Sequence, residues 1–156
     1  MRPLTVGFAF LVACAPPEPP DILNAEPAIR LAYPPRDVGT VSLLPDGSLS
    51  VLVVVDVDNI QLTSPYVEGV EAQDGQGHWH ATLGAAEGYQ ASFEPYQIFT
   101  RGPGEVSLGV TRLTVSLQNN LHDDLSQFTN WQSSIEFEVV EYVDPADSAD
   151  TGDTGS

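Results

Sequence analysis

Two of the three histidines in this 156-residue chain stand one residue apart, and imidazole is the commonest metal ligand among side chains. His78 and His80 flank Trp79, and His122 lies far away in the sequence. Alternate side chains of a β-strand share a face, so both imidazoles are expected to point the same way, with Cα atoms roughly 6.5–7 Å apart. Trp79 would then point into a core, while the two imidazoles face outward, close enough to bind one ion.

Three imidazoles are the minimum for a histidine-only metal site, and imidazole suits Zn²⁺ and Cu²⁺. We therefore identify His78, His80 and His122 as candidate metal ligands. The carboxylates that are candidates for a fourth ligand or an outer partner of an imidazole are those of Asp56, Asp58, Asp123 and Asp124. The alternative interpretation is that the histidines are exposed or hydrogen-bonded residues that fix a loop and bind no metal.

The residue pattern gives little support for catalysis. Three histidines with an open coordination position can in principle activate a bound water. The chain, however, contains no Gly-x-Ser-x-Gly motif and no pair of carboxylates in a recognisable catalytic frame. We expect a binding protein and no enzyme, with a metal-dependent enzyme as a third hypothesis.

The first 13 residues predict a signal peptide, because a positively charged start precedes an apolar run that is too short to span a bilayer. The run ends in Leu11-Val12-Ala13-Cys14, which resembles the lipobox of bacterial lipoproteins. The resemblance implies cleavage before Cys14 and acylation of that cysteine, so that a lipid anchors the protein to a membrane. The alternative is an ordinary secretory signal that is cleaved after Ala13 or Ala15.

The resemblance to lipoproteins also predicts an extracytoplasmic location. Ala15 stands where an aspartate tends to retain lipoproteins of Gram-negative bacteria at the inner membrane, so an outer-membrane or cell-surface location is favoured. Cys14 is the only cysteine, and once it is acylated no thiol remains for a disulfide or a thiolate metal site.

The charge of the chain restricts its partners. With 22 acidic residues, 5 basic residues and no lysine, the formal net charge is −17. Such a surface repels phosphate groups, which argues against nucleic acid and against electrostatic docking on lipid head groups. It attracts cations without selectivity. A structural or protein-interaction module of the cell envelope, with a protein partner and no metal, is the alternative to a metal-binding domain.

The hydrophobic pattern predicts β-strands throughout the central region, and no long segment has a helical period. The principal predicted strands cover residues 28–33, 49–57, 77–83, 110–117 and 135–143, with weaker ones at 66–72 and 89–93. The Pro45-Asp46-Gly47-Ser48 turn predicts a hairpin between residues 41–44 and 49–57, and residues 60–62 are expected to continue the second arm after a bulge. Leu113, Val115 and Leu117 are expected to face inward.

Seven to nine short strands with closely spaced turns predict an all-β, Ig-like antiparallel β-sandwich, with a small β-barrel as the alternative. The predicted layout has four parts: a lipoprotein signal peptide at 1–13, a proline-rich extended tether at 14–27, the sandwich domain at 28–143 and a tail at 144–156. The tail repeats Asp, Thr and Gly with no apolar side chain to bury, so its composition predicts disorder.

A Gly-His-x-His strand followed by a later Asn-x-x-His is similar to a group of uncharacterised bacterial periplasmic and lipoprotein domains with an Ig-like fold. In this chain the motifs are Gly77 to His80 and Asn119 to His122, and the resemblance spans about residues 49–143. It implies that the three histidines act together. The family often has an acidic turn soon after its histidine strand, where this chain has Gly84-Ala85-Ala86, so no fourth ligand is carried over.

Overall fold

The computed structural model describes residues 25–64, 74–84 and 88–145. The strands in these residues are β1 (Ala28–Tyr33), β2 (Thr40–Ser42), β3 (Leu49–Asp58), β4 (Gln61–Leu62), β5 (Gln76–Leu83), β6 (Gln90–Ser92), β7 (Tyr96–Arg101), β8 (Gly109–Asn119) and β9 (Gln132–Val140). Within this part of the chain, no helix is long and apolar enough to cross a membrane. The predicted signal peptide, Cys14, the strand at 66–72, most of the tether and nearly all of the tail lie outside the described residues.

The strands form two sheets that pack face to face. One sheet has three strands in the order β1-β3-β7, and the other follows the order β2-β9-β8-β5-β4, with β6 also paired to β5. Most pairs are antiparallel, whereas the short pairs β2-β9 and β4-β5 are parallel. The prediction of an all-β, Ig-like sandwich is confirmed.

Side chains with a two-residue period fill the space between the sheets. Leu49, Val51, Val53 and Val55 of β3 are buried, and the alternate residues of that strand face away from the core. The predicted inward set on β8 is confirmed, because Leu113, Val115 and Leu117 are all fully buried. The other buried members of the core are Ile29, Leu31, Trp79, Ala81, Leu83, Phe99, Ile135, Phe137 and Val139.

The predicted hairpin between β2 and β3 is wrong, although its turn is present. Gly47 has a φ of 81°, and the Asp46 carboxylate accepts a hydrogen bond from the Ser48 backbone N–H at 2.9 Å. The turn instead carries the chain from one sheet to the other, so that β2 pairs with β9 and β3 pairs with β1 and β7. A turn signal specifies a reversal of the chain but leaves open which strand edge accepts the next hydrogen bonds.

Two further boundary predictions are also wrong. Residues 61–62 do not continue β3, because Asn59 adopts a φ of 58° and directs the chain into the other sheet, where β4 pairs with β5. The last strand ends at Val140 rather than 143, and Val143, beyond its end, is 68 % exposed. β7, which no strand prediction covered, fills one edge of the three-stranded sheet.

β5 occupies an interior position in the larger sheet and carries the paired histidines. Along one edge it pairs with β8 over seven residues from Gly77 to Leu83. Along the other edge, β4 pairs with its beginning and β6 pairs with residues 79–81. Because both edges are hydrogen-bonded, the direction in which each β5 side chain points is fixed by the sheet.

Candidate metal centre

The register of β5 and β8 places His78 and His80 on the face of the sheet that points away from the core. His78 is paired with Gln118 and His80 with Ser116, whereas Trp79 is paired with the core residue Leu117. Contrary to the expectation of two outward-facing imidazoles in solvent, His78 and His80 are only 0 % and 7 % exposed. Other parts of the chain therefore cover this face.

Two aromatic rings form the cover. The ring of His122, in the β8-β9 connection, meets the His78 ring edge-on with centroids 4.5 Å apart. The ring of Tyr89, just before β6, stacks on His80 with centroids 3.8 Å apart and planes inclined by 10°. His122 itself remains exposed. The site is thus closed by β5 beneath and Tyr89 at one side, and it reaches solvent at His122.

All three histidines of the chain converge here, and one nitrogen of each lies within 4.8 Å of the other two. The Nε2 atoms of His78 and His80 are 2.9 Å apart. Two nitrogen lone pairs at that separation repel unless a proton or a metal ion lies between them. Zn–N bonds of 2.0–2.1 Å in a tetrahedral site place ligand nitrogens about 3.3 Å apart, so a small opening of the buried pair suits a shared ion.

Burial keeps the two strand histidines uncharged at neutral pH. Desolvation, followed by the electrostatic effect of His80 and His122, lowers the pKa of His78 from 6.5 to about 4. Desolvation, followed by the effect of His122, likewise lowers the pKa of His80 from 6.5 to about 4, against an opposing effect of the Asp124 carboxylate. A neutral imidazole has the free lone pair that a metal requires, so no proton need be lost from these rings at pH 7.

The second nitrogen of His78 has an unusual environment. Its Nδ1 atom is buried, and no described residue forms a hydrogen bond with it. Histidines that bind metal ions usually donate this second N–H to a carboxylate or a carbonyl group. Here the surrounding rings, rather than such a hydrogen bond, hold the orientation of the His78 imidazole.

The candidate carboxylates fall into two groups. Asp124 adjoins the site: its Oδ1 accepts a hydrogen bond from the buried Gln118 amide, and its charge acts on His80. Asp123 lies in the same loop and accepts a hydrogen bond from Asn119 Nδ2 at 3.0 Å. Asp56 and Asp58, by contrast, lie on the outward face of the three-stranded sheet, where Asp56 pairs with Arg30.

Two residues that contact the candidate ligands or hold them in place, Tyr89 and Gln118, were not identified from the sequence. Tyr89 reaches His80 through the short β5-β6 pairing, which no local pattern predicts. Gln118 faces His78 because of the β5-β8 register, which becomes known only once the two strands are paired. Asn119, the last residue of β8 and the first residue of the Asn119 to His122 motif, organises the loop that carries His122.

No family model and no curated protein matches the sequence. Among solved structures, the chain is similar to a CARDB domain from Pyrococcus furiosus that was solved in complex with di-metal ions, with 12 % identity, a TM-score of 0.40 and coverage of 73 % of this chain and 87 % of that one. It is also similar to the extracellular domain of a hybrid two-component system from B. thetaiotaomicron, with 13 % identity, a TM-score of 0.37 and coverage of 69 % and 12 %. Both likenesses concern the course of the chain, at identities too low to carry residues across.

Taken on its own geometry, the cluster can hold a metal ion. It supplies three nitrogen donors, two fixed on a strand and one on a loop. Among the described residues this is the group of histidine and acidic side chains that meets the geometric requirement for a metal site. Nitrogen donors select borderline transition metals over Ca²⁺ or Mg²⁺, which prefer oxygen ligands.

Proposed function

We propose that this protein is an extracytoplasmic, lipid-anchored binding domain that holds Zn²⁺ or Cu²⁺ through His78, His80 and His122. The observation that supports the proposal most strongly is the convergence of every histidine of the chain at one point, with two of them buried. The ion is proposed to be bound and not used in catalysis.

The burial of two imidazoles argues for a role beyond packing. A polar group that leaves water without full hydrogen bonding costs roughly 1–3 kcal/mol, and His78 and His80 have mainly each other as partners. Apolar side chains at these two positions could pack against Tyr89 and His122 without that desolvation cost. Sequences usually keep such locally unfavourable choices where a function depends on them.

The donor set supports Zn²⁺ or Cu²⁺. Imidazole nitrogens suit both ions, and the only cysteine and the only methionine of the sequence, Cys14 and Met1, lie in or next to the predicted signal peptide. The net charge of −17 raises the local concentration of any cation near the surface without choosing among cations. We therefore assign the selectivity for the metal ion to the three imidazoles. The acidic surface as a whole supplies the unselective attraction of cations.

The proposed location follows from the lipobox at residues 11–14. A lipid on Cys14 and an extended tether to residue 27 would place the sandwich outside the cytoplasm, near an outer membrane or cell surface. Copper and zinc are both handled in that compartment, which agrees with the proposed ligand set.

The direct test is a titration of Zn²⁺ and Cu²⁺ into metal-stripped protein while the melting temperature is measured. An ion at a hundred times its dissociation constant stabilises the folded state by roughly 2.7 kcal/mol, or about 10 °C in melting temperature for a domain of this size. His80→Ala and His122→Ala should each remove most of the shift. Glu138→Gln, on the exposed face of β9, is the matched surface control and should retain it.

The titration also separates selective binding from loose attraction to the acidic surface. Equal shifts in the parent and both histidine variants would mean that the ions bind the surface without using the cluster. No shift in any of the proteins would exclude a metal site of useful affinity. Either result overturns the proposal.

A protein-interaction module is the second candidate function, and one surface favours it. The outward face of the three-stranded sheet carries paired, exposed apolar side chains: Leu52 lies opposite Ile98, and Val54 lies between Tyr33 and Tyr96. Tyr96 and Ile98 are each 60 % exposed. Contiguous apolar side chains on an otherwise acidic protein are typical of contact surfaces.

A further inference from the structure

The loop that carries His122 is organised around one side chain, Asn119. The Oδ1 atom of Asn119 accepts hydrogen bonds from the backbone N–H groups of Leu121 and Asp123, at 2.8 and 2.9 Å. Its Nδ2 atom donates to the Asp123 carboxylate at 3.0 Å. Its backbone N–H donates to the Asp123 carbonyl at 2.9 Å, and its carbonyl accepts from the His122 N–H at 3.2 Å. Five hydrogen bonds of one residue therefore span the whole turn.

These bonds hold His122 in a conformation that it would rarely adopt by itself. His122 has a φ of 68°, in the left-handed region that non-glycine residues seldom adopt. Such a conformation persists only where surrounding contacts determine it. In this loop the left-handed turn directs the His122 ring back over β5, where its centroid lies 4.5 Å from that of His78 and 5.5 Å from that of His80.

The base of the loop is fixed separately from its tip. Gln118 and Asp124 form an isolated antiparallel bridge, and the Leu125 N–H donates to the Leu117 carbonyl at 3.2 Å. These contacts close the loop where it leaves and rejoins β8. His122 lies three residues beyond Asn119, inside the turn that the Asn119 side chain closes through Leu121 and Asp123.

We propose that Asn119 is the positioning residue for the third metal ligand, His122. The inference rests on the proposed metal function for its effect on binding. The sheet fixes His78 and His80, whereas His122 depends on the turn that Asn119 closes. Loss of the Asn119 side chain should therefore convert a site with three imidazoles into one with two, while β5 remains intact.

The test compares Asn119→Ala with a matched control, Asp46→Ala, by measuring Zn²⁺ affinity. Asp46 closes the turn before β3 with the same kind of side chain to backbone hydrogen bond, far along the chain from the histidines. Loss of a partner that orients a metal ligand typically lowers affinity 10–100-fold. We expect that loss in Asn119→Ala and unchanged affinity in Asp46→Ala, even though both variants lose a turn contact.

A rescue variant separates positioning from general damage to the fold. The double change Asn119→Asp with Asp123→Asn exchanges an amide for a carboxylate at two facing positions and keeps the net charge. It retains the acceptor for the two backbone N–H groups and allows the side chain hydrogen bond between the positions to form in the opposite direction. We expect it to recover most of the affinity lost in Asn119→Ala.

NMR contacts between the imidazole rings of the three histidines can be measured without any metal ion. In the metal-free parent, an NMR contact between the rings of His122 and His78 is expected, because their centroids are 4.5 Å apart. Asn119→Ala should lose that contact and keep the one between His78 and His80. Retention of the His122 contact in Asn119→Ala would overturn the inference.

The outcomes distinguish the inference from the proposed function. If the parent binds no Zn²⁺, the metal function fails, and the ring contacts alone decide whether Asn119 positions His122. If the parent binds Zn²⁺ through the three histidines and Asn119→Ala binds it equally well, the metal function stands and the inference about Asn119 is wrong.

Discussion

The two buried imidazoles should make the metal-free fold sensitive to mild acid. The pKa of both His78 and His80 is lowered in the folded state from 6.5 to about 4. Between these values the unfolded chain binds protons that the folded state does not bind. Stability is therefore complete above about pH 6.5 and falls as the pH decreases towards 4.

The expected size of the effect follows from proton linkage. Each imidazole that is neutral when folded and protonated when unfolded lowers the free energy of unfolding by about 1.4 kcal/mol per pH unit. From pH 7 to pH 5 this amounts to roughly 2 kcal/mol per imidazole, because the unfolded histidine becomes fully protonated only below its own pKa. A single domain typically has 5–15 kcal/mol of stability, so the loss is easily measured.

The assay is urea unfolding of metal-stripped protein at several pH values between 7 and 5, for the parent and for His78→Leu. The 22 acidic residues repel one another in both proteins, and this repulsion also contributes to the stability of each. That contribution is shared by both proteins and cancels in the difference. We expect the parent to lose roughly 1.2 kcal/mol more than His78→Leu between pH 6 and pH 5.

Equal pH dependence in the two proteins would refute this reasoning. It would mean that the folded protein protonates His78 as readily as the unfolded chain does, which is incompatible with burial of its ring beside two other imidazoles. A steeper loss in His78→Leu would refute it as well.

Three other predictions concern the ends of the chain and the start of β5. Cys14→Ser should release the protein from the membrane fraction, and detergent-sensitive sedimentation of this variant with membranes would contradict the lipobox interpretation. A chain that ends at Ala146 should melt within about a degree or two of the mature protein, since the tail has no apolar group to bury, and a large drop would show that the tail packs on the domain. Gly77→Ala should lower the free energy of unfolding by about 3 kcal/mol or more, because a Cβ there would overlap the Gln118 carbonyl and lie 2.9 Å from Ile60 Cδ1. Gly75→Ala is its control, with no atom within 4 Å of the added Cβ and an expected cost of about 1 kcal/mol from its positive φ, and equal losses in the two variants would contradict the steric argument.

The strands that the sequence predicted well are those with one buried and one exposed face. In β3, Leu49, Val51, Val53 and Val55 face the core at alternate positions, and in β8 Leu113, Val115 and Leu117 do so. A two-residue period reports burial directly, so it identifies both the strand and its orientation. β7 has a similar alternation of exposure, with Ile98 outward and Phe99 inward, but it has only six residues, so its period is harder to recognise.

The pairing between strands was harder to predict from the sequence than the strands themselves. The turn at Asp46 and Gly47 was correctly placed, yet β2 pairs with β9, which lies about a hundred residues away in the sequence. The choice between a hairpin and a crossover depends on which strand of the folded domain has a free edge for backbone hydrogen bonds. No local signal in the turn encodes that choice.

In the candidate site, too, the local geometry could be predicted from the sequence, whereas the tertiary packing could not. The spacing of His78 and His80 was sufficient to place both on one face, because the period of a strand is fixed by its geometry. Their burial depends on where Tyr89 and the His122 loop travel, and that is a property of the complete fold. Asn119 lies between these cases, since its role as a turn former is local whereas its consequence for His122 depends on the β5-β8 register.

X-ray absorption of the zinc-loaded protein can show whether one metal ion is bound by all three histidines. We expect three imidazole nitrogens at about 2.0–2.1 Å from a single Zn²⁺ ion, and one fewer imidazole in His122→Ala. Coordination by oxygen atoms alone, or a spectrum that His80→Ala leaves unchanged, would show that the ion lies on the acidic surface and not at the histidines.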